Sequence, residues 1–166
     1  MTPPRRRRAL LAAAAALALA TVGAAPAHAE PPPDAPEQID NGDFSAGVAP
    51  WFSYGTGPLG VTDGRLCATV PGGLANPWDA GIGQDGVPLV AGAEYTLGFD
   101  VSATPGTPVT AVLQLGAPPY TGYASVTVTA GGTAQRVERT FTATDGNPSA
   151  QLIFQVGGSA DEQTVC

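Results

Sequence analysis

The chain has 166 residues, of which 43% are hydrophobic and 13% charged, with 7 basic and 14 acidic side chains and a net charge of −7 at pH 7. It contains no lysine, and its single histidine is His28. An acidic surface of this kind repels phosphate backbones and anionic lipid, so the composition argues against nucleic-acid and membrane partners. It suits a neutral ligand, or simply solubility outside the cell.

The first 29 residues predict a secretory signal peptide and therefore a secreted, extracellular protein. Arg5–Arg8 form a basic start, Ala9–Val22 is an apolar run too short and too rich in alanine to predict a membrane span, and Ala27–Ala29 forms a small-x-small cleavage site. An uncleaved anchor is the alternative, and the paired arginines permit twin-arginine export. Without this segment, 137 of the 166 residues remain, with three arginines against 14 acids and a net charge of −11. That length suits one domain with one core.

Residues 30–38, EPPPDAPEQ, form a Pro-rich, charged leader, and residues 39–166 form the predicted domain. In this domain Gly, Pro, Asn and Asp interrupt the chain about every 8 to 12 residues, and no window has a helical period. The runs between them predict strands at Arg65–Val70, Glu94–Ser102, Val109–Leu115, Ala124–Thr129, Arg136–Ala143 and Ala150–Val156. Many short strands at this spacing predict an all-β fold, a β-sandwich or jelly roll.

The segment AQLIFQVGG places two glutamines opposite the core. By the two-residue period of a strand, Leu152 and Phe154 share one face, and Gln151, Ile153 and Gln155 share the other. The two glutamines then lie about 13 Å apart, at roughly 3.3 Å per residue. Their amides could meet several hydroxyls of an extended polar chain. Two ordinary solvent-facing glutamines are the alternative interpretation.

The two cysteines, Cys67 and Cys166, permit a single intramolecular pairing. In an exported protein a disulfide is the expected state. Closing a loop of about 100 residues should stabilise the fold by roughly 4 to 5 kcal/mol in the chain-entropy model. A zinc site is not expected, because two cysteines without a histidine in the exported chain give too few ligands.

The exported chain lacks the groups of a Ser-His-Asp or Cys-His catalytic arrangement, because it has neither histidine nor lysine. Paired carboxylates of the glycosidase type remain an option, but the short strands and turns leave no long loops to build such a cleft. Four aromatic residues stand instead in Gly/Pro-rich stretches, where burial is harder: Tyr54, Trp78, Tyr120 and Tyr123. Aromatic faces stack on sugar rings and amides bind hydroxyls, so the combination points to a neutral carbohydrate.

The pattern NGDF…YGTGPLG…GRLC…NPWDAGIGQ…PY…FQVGG…TVC resembles the family 4 carbohydrate-binding modules. These belong to a wider family 4/9/22 group that is attached to secreted actinobacterial cellulases and related glycoside hydrolases. The resemblance covers nearly all of residues 39–166. It implies a jelly-roll β-sandwich of the galactose-binding-like kind, with a groove along one sheet that takes single glucan chains such as amorphous cellulose, β-1,4-glucan or β-1,3-glucan.

The resemblance also implies roles for individual residues. The groove tyrosines correspond to Tyr54 and Tyr120, with Trp78 as a further aromatic either at the groove rim or capping the sandwich. The groove amides correspond to Gln84, Gln151 and Gln155, and the disulfide of the family to Cys67–Cys166. Together these residues form the predicted carbohydrate-binding site.

Two departures from the family pattern affect these expectations. The family often has an arginine in the strand before the PY segment, and Val109–Leu115 has none, so one charged donor to the sugar is missing. The family also continues after its second cysteine with a final strand that contributes an acid to a structural calcium site. Because the sequence stops at Cys166, the domain is expected to lack this last strand and to leave an open sheet edge. No cofactor is expected to be required, and Asp43 and Gly64 are the positions left for a possible calcium ion.

The function predicted from these features is non-catalytic binding of single β-glucan chains, by a monomer that targets a glycoside hydrolase to polysaccharide. One alternative is part of a hydrolase that itself acts on the polysaccharide. Another is an adhesion or protein-binding β-sandwich without sugar affinity.

Overall fold

The computed structural model describes residues 36–166, so the predicted signal peptide and most of the Pro-rich leader lie outside the described residues. In this range the elements are, in chain order, β1 (Phe52–Tyr54), β2 (Gly60–Thr62), β3 (Arg65–Val70), a 3-10 helix (Pro77–Asp79), β4 (Gly81–Leu89), β5 (Glu94–Val101), β6 (Thr107–Leu115), β7 (Gly122–Ala130), β8 (Gln135–Thr142), β9 (Asn147–Gln155) and β10 (Gln163–Val165). The strands predicted from the sequence are present as β3 and β5 to β9. No helix in this range has the length and hydrophobicity that a membrane crossing requires.

The strands form two layers. One layer is a five-stranded antiparallel sheet in the order β1-β4-β9-β6-β7. The other contains the sheets β10-β3-β2 and β5-β8. Ser102 and Cys166 exchange backbone hydrogen bonds of 2.9 and 2.8 Å, and Ala103 bridges Val165, so β10 lies beside the chain that leaves β5. The all-β sandwich predicted from the sequence is confirmed.

The core lies between the layers because each inner face carries the apolar residues of a two-residue period. In β5 the side chains alternate between exposed and partly buried, with Tyr95, Leu97 and Phe99 on the inner side. Phe154 of β9 joins the two ends of the core: its ring lies 6.3 Å from Trp51 and 5.0 Å from Phe99. Such aromatic pairs stabilise the packing beyond their burial alone.

Two strand edges in residues 36–166 face each other without pairing. The described strand β5 pairs only with β8, and the Arg65–Cys67 part of β3 pairs only with β2. A cavity of about 580 Å³ separates these two free edges, and Leu66, Leu97 and Phe99 are among the core side chains that line it. Cys67 and Cys166 form the predicted disulfide beside it, with Cα atoms 4.1 Å apart and a sequence separation of 99 positions.

Candidate functional site

The outer face of the five-stranded sheet carries the two glutamines predicted from the strand period. Leu152 packs into the core, whereas Gln151 and Gln155 are partly exposed on β9, the central strand. Ile153 lies between them on the same face, pairs with Gly83 and Val112 of the neighbouring strands, and is only 1% exposed. The strand therefore presents two amides on either side of an apolar floor.

Glycines in β4 make room for large side chains on this outer face. Gly81 pairs with Tyr54, and a Cβ at Gly81 would lie 2.7 Å from atoms of the Tyr54 ring. A Cβ at Gly83 would lie 2.7 Å from Ile153 and 3.1 Å from Phe52. Because glycine has no side chain, the tyrosine ring lies directly against the backbone of β4. The Gly-Ile-Gly segment is therefore what seats Tyr54 on the sheet.

Tyr54 and Tyr120 are exposed aromatic side chains near this face, 42% and 52% exposed respectively. Tyr120 lies in the loop between β6 and β7, where its φ of 54° is in the left-handed region that non-glycine residues rarely adopt. Partial burial raises the pKa of the Tyr54 phenol, and the charges of Tyr120 and Asp79 raise this pKa further. Tyr54 ends a strand rather than standing in a loop as the sequence suggested.

A row of polar side chains that the sequence pattern does not reveal crosses the same face beside Gln151. Gln151 donates from Nε2 to Oδ1 of Asp85 at 2.9 Å, and Gln114 donates from Nε2 to Oε1 of Gln151 at 3.2 Å. On the same face, the hydroxyls of Thr110 in β6 and Thr127 in β7 are 2.9 Å apart. The sequence signal for this row is the two-residue period of β6, which places Gln114 and Thr110 on the same face of the strand. That period does not show which residues of β9 lie beside Gln114 and Thr110. The register of β6 against β9 is needed for this.

The prediction that Gln84 lies in the groove is wrong. Gln84 pairs with the core residue Leu152 and is 2% exposed. Its Oε1 accepts a hydrogen bond from the Asp40 backbone N–H, and its Nε2 donates to the Asp40 carbonyl, both at 2.8 Å. Both ends of the amide are therefore occupied, and Gln84 ties the start of the domain to β4. The residue that reaches the outer face in this segment is its neighbour Asp85.

The remaining loop aromatics occupy different environments. Trp78 lies in the 3-10 helix and is 59% exposed, and it belongs to neither cluster of core residues. The next residue, Asp79, abuts Gly55 immediately after Tyr54, so Trp78 lies near the Tyr54 end of the outer face. Tyr123, by contrast, packs against the core, and its hydroxyl accepts a hydrogen bond from Asn147 at 3.1 Å. Tyr123 therefore belongs to the structure and not to the exposed aromatic set.

The positions considered for calcium line the cavity between β3 and β5. Asp43 Oδ1 accepts hydrogen bonds from the backbone and hydroxyl of Ser45, which lower the pKa of this carboxyl. Gly64 has a φ of 71° in the turn between β2 and β3. Calcium takes six to eight oxygen ligands, often including several carboxylates. Within residues 36–166, no three or more Asp, Glu, His or Cys side chains are grouped so that they could hold a metal ion.

A β-sandwich that exposes tyrosines and a line of amides on one sheet has the features of a sugar-binding module. Residues 36–163 match the family model of the carbohydrate binding domain of the CBM 4/9 type. The chain therefore belongs to this family of carbohydrate-binding domains. Its similarity to binding modules confirms the prediction of a non-catalytic binding module rather than an enzyme.

Individual relatives agree with this assignment. Over 127 residues the chain is 35% identical to endoglucanase C of Cellulomonas fimi, an alignment that covers 73% of this chain and 12% of that enzyme. A solved CBM4 domain is 33% identical, with a TM-score of 0.70, covering 74% of this chain and 93% of that domain. The N-terminal cellulose-binding domain of Cellulomonas fimi β-1,4-glucanase C is also 33% identical, with a TM-score of 0.61, covering 70% and 82% of the two chains. The chain thus corresponds to a small part of the endoglucanase.

Proposed function

We propose that this module binds single β-glucan chains in a groove along the outer face of the five-stranded sheet. The observation that carries the proposal is that exposed Tyr54 lies on the sheet face that carries the amides, with exposed Tyr120 in the β6–β7 loop. The tyrosine rings would stack on the apolar faces of successive sugars, and Gln151 and Gln155 would hydrogen-bond their hydroxyls. Trp78 would extend the aromatic surface at the Tyr54 end.

The choice of a glucan follows from the relatives. One solved relative is a cellulose-binding domain, and the similar endoglucanase is a β-1,4-glucanase. An extended β-1,4- or β-1,3-linked chain would run across the strands or along them, meeting amides spaced about 13 Å apart on β9. A monomer suffices for this contact, because the tyrosines and amides come from one chain.

The biological role we infer is targeting. A secreted module of this kind would hold a glycoside hydrolase close to polysaccharide and raise the local concentration of substrate. Export by the N-terminal segment is part of this proposal, and it is tested by recovery of the protein from the culture medium with the first 29 residues removed.

Isothermal titration with cello- and laminari-oligosaccharides tests the binding proposal. We expect heat of binding for the purified module, and a large loss of affinity when Tyr54 and Tyr120 are both replaced by Ala. Gln135→Ala, which changes an exposed amide on β8 in the other layer, is the matched control and should bind normally. Absence of heat with both series, together with no retardation in polysaccharide affinity gels, contradicts the proposal.

The same double variant separates the two alternative functions. An adhesion sandwich should keep its protein partner when the tyrosines are removed, whereas a glucan-binding module should lose its ligand. Release of reducing sugar by the purified module would indicate a hydrolase, and none is expected.

A further inference from the structure

The hydrogen bonds of the polar row Asp85–Gln151–Gln114 all run in one direction, with each amide nitrogen donating toward Asp85. Asp85 carries a carboxylate, which accepts hydrogen bonds and cannot donate them when ionised. Gln151 must therefore turn its amide nitrogen toward Asp85, as the 2.9 Å contact shows, and its Oε1 toward Gln114. Gln114 in turn must present its own amide nitrogen to Gln151. One carboxylate thus sets the orientation of two neutral amides on adjacent strands.

This orientation leaves acceptors facing the ligand side. Among the hydrogen bonds of residues 36–166, Asp85 uses only Oδ1 and Gln114 uses only Nε2. Oδ2 of Asp85 and Oε1 of Gln114 are left to accept, and Asp85 is exposed. Acceptors of this kind fit the hydroxyl donors of a sugar, and they offer nothing favourable to a carboxylate or sulfate on it.

The five-stranded sheet also lacks cations to offset this charge. The arginines of the described range are Arg65 in β3 and Arg136 and Arg139 in β8, all in the other layer, and the sequence has no lysine. At the opposite end of the face, the Asp79 carboxylate accepts hydrogen bonds from the backbone and side chain of Asn76, and its charge helps to raise the pKa of Tyr54. A ligand beside Asp85 therefore meets a negative charge that no cation of this sheet offsets.

We infer that Asp85 makes this face selective for uncharged polysaccharide, so that glucans bearing carboxylates or sulfates bind more weakly. The inference rests on the proposed glucan binding and names the substrate class within it. Two like charges about 4 Å apart repel, even in a water-like dielectric, enough to weaken binding about fivefold for each ligand carboxylate placed there. Because such repulsion is screened, the discrimination should shrink as salt concentration rises.

The test compares three ligands of equal length by isothermal titration: cellohexaose, the same oligosaccharide with its C6 groups oxidised to carboxylates, and the methyl ester of that uronate. The ester keeps the shape of the uronate without its charge. Each ligand is titrated into the wild-type module, Asp85→Asn, and the charge-matched control Glu94→Gln, which lies in the other layer. The wild-type titrations are repeated at about 1 M salt, where the Debye length is about 3 Å.

We expect the wild type to bind the ester better than the uronate, and D85N to reduce this ratio about fivefold while E94Q leaves it unchanged. High salt should reduce the wild-type ratio as well. An ester-to-uronate ratio that is the same in wild type and D85N, with cellohexaose bound normally, would overturn the inference and leave the proposed function intact. If the wild type binds neither cellohexaose nor the ester, the proposed function fails and this inference fails with it.

Discussion

Replacing Gln84 by Leu distinguishes a residue that holds the fold from one that holds the ligand. The side chain is 2% exposed, and its amide makes two hydrogen bonds of 2.8 Å to the Asp40 backbone. Leucine keeps a similar volume and removes both bonds. Each such bond contributes about 1 kcal/mol net, and because Asp40 is exposed, water can solvate its freed backbone groups. We therefore expect the free energy of unfolding to fall by about 2 kcal/mol.

Urea unfolding and thermal melts measure this loss. For a domain of this size, about 2 kcal/mol corresponds to a decrease in Tm of roughly 5 to 10 °C. Gln151→Leu, made in parallel, is the matched change on the outer face: it should weaken glucan binding and alter stability by less than about 0.5 kcal/mol. A Q84L protein with wild-type stability and weakened glucan affinity would refute the assignment of Gln84 to the fold.

Three further predictions concern the seat of Tyr54, the disulfide and alkaline pH. Gly81→Ala places a Cβ 2.7 Å from the Tyr54 ring and should displace it, lowering glucan affinity about tenfold in titrations with little change in Tm; unchanged affinity would contradict the role of Gly81. Replacing both Cys67 and Cys166 by Ala should lower the free energy of unfolding by about 4 to 5 kcal/mol in urea, and a wild-type melt that is indifferent to reductant would argue against this. Because burial raises the pKa of Tyr54 above its ordinary 10.0, the stability linked to its proton is complete below that pH and is lost as pH rises through the folded pKa. Tyr54→Phe should therefore flatten the alkaline decline of Tm, and an unchanged decline would assign it to other groups.

The sequence predicts the long strands other than β4 well and the short ones poorly, for a physical reason. β5 and β9 bury one face, so apolar residues recur at every second position and reveal both the strand and its inner side. β1 and β10 have three residues each, too few for a period to be recognised. The sequence favours a loop at Tyr54 because Gly and Pro follow it, although Tyr54 ends β1 and is seated by a glycine from another strand.

The error at Gln84 has a different origin, because its groove role comes from the family resemblance and not from strand parity. The register of β4 against β9 is regular up to Gln84, which pairs with Leu152, and it shifts only between Gln84 and Val87. A register shift of this kind breaks the parity by which faces are read from sequence. Asp85 and Gln114 escape prediction because their connection runs through Gln151 on a third strand, and such contacts depend on the order of strands in the sheet.

The distribution of charge between the layers limits how this module can bind. Arg136 pairs with Asp100 and Glu138 at 3.5 and 3.3 Å on the layer formed by β5 and β8, where exposed ion pairs contribute little to stability. The five-stranded sheet carries hydroxyls, amides and tyrosines without a cation, so a neutral sugar gains no charge-assisted donor there. Affinity must then come from stacking and from several neutral hydrogen bonds made at once. Such binding requires a chain of several sugars, and for neutral glucans it should be nearly independent of salt.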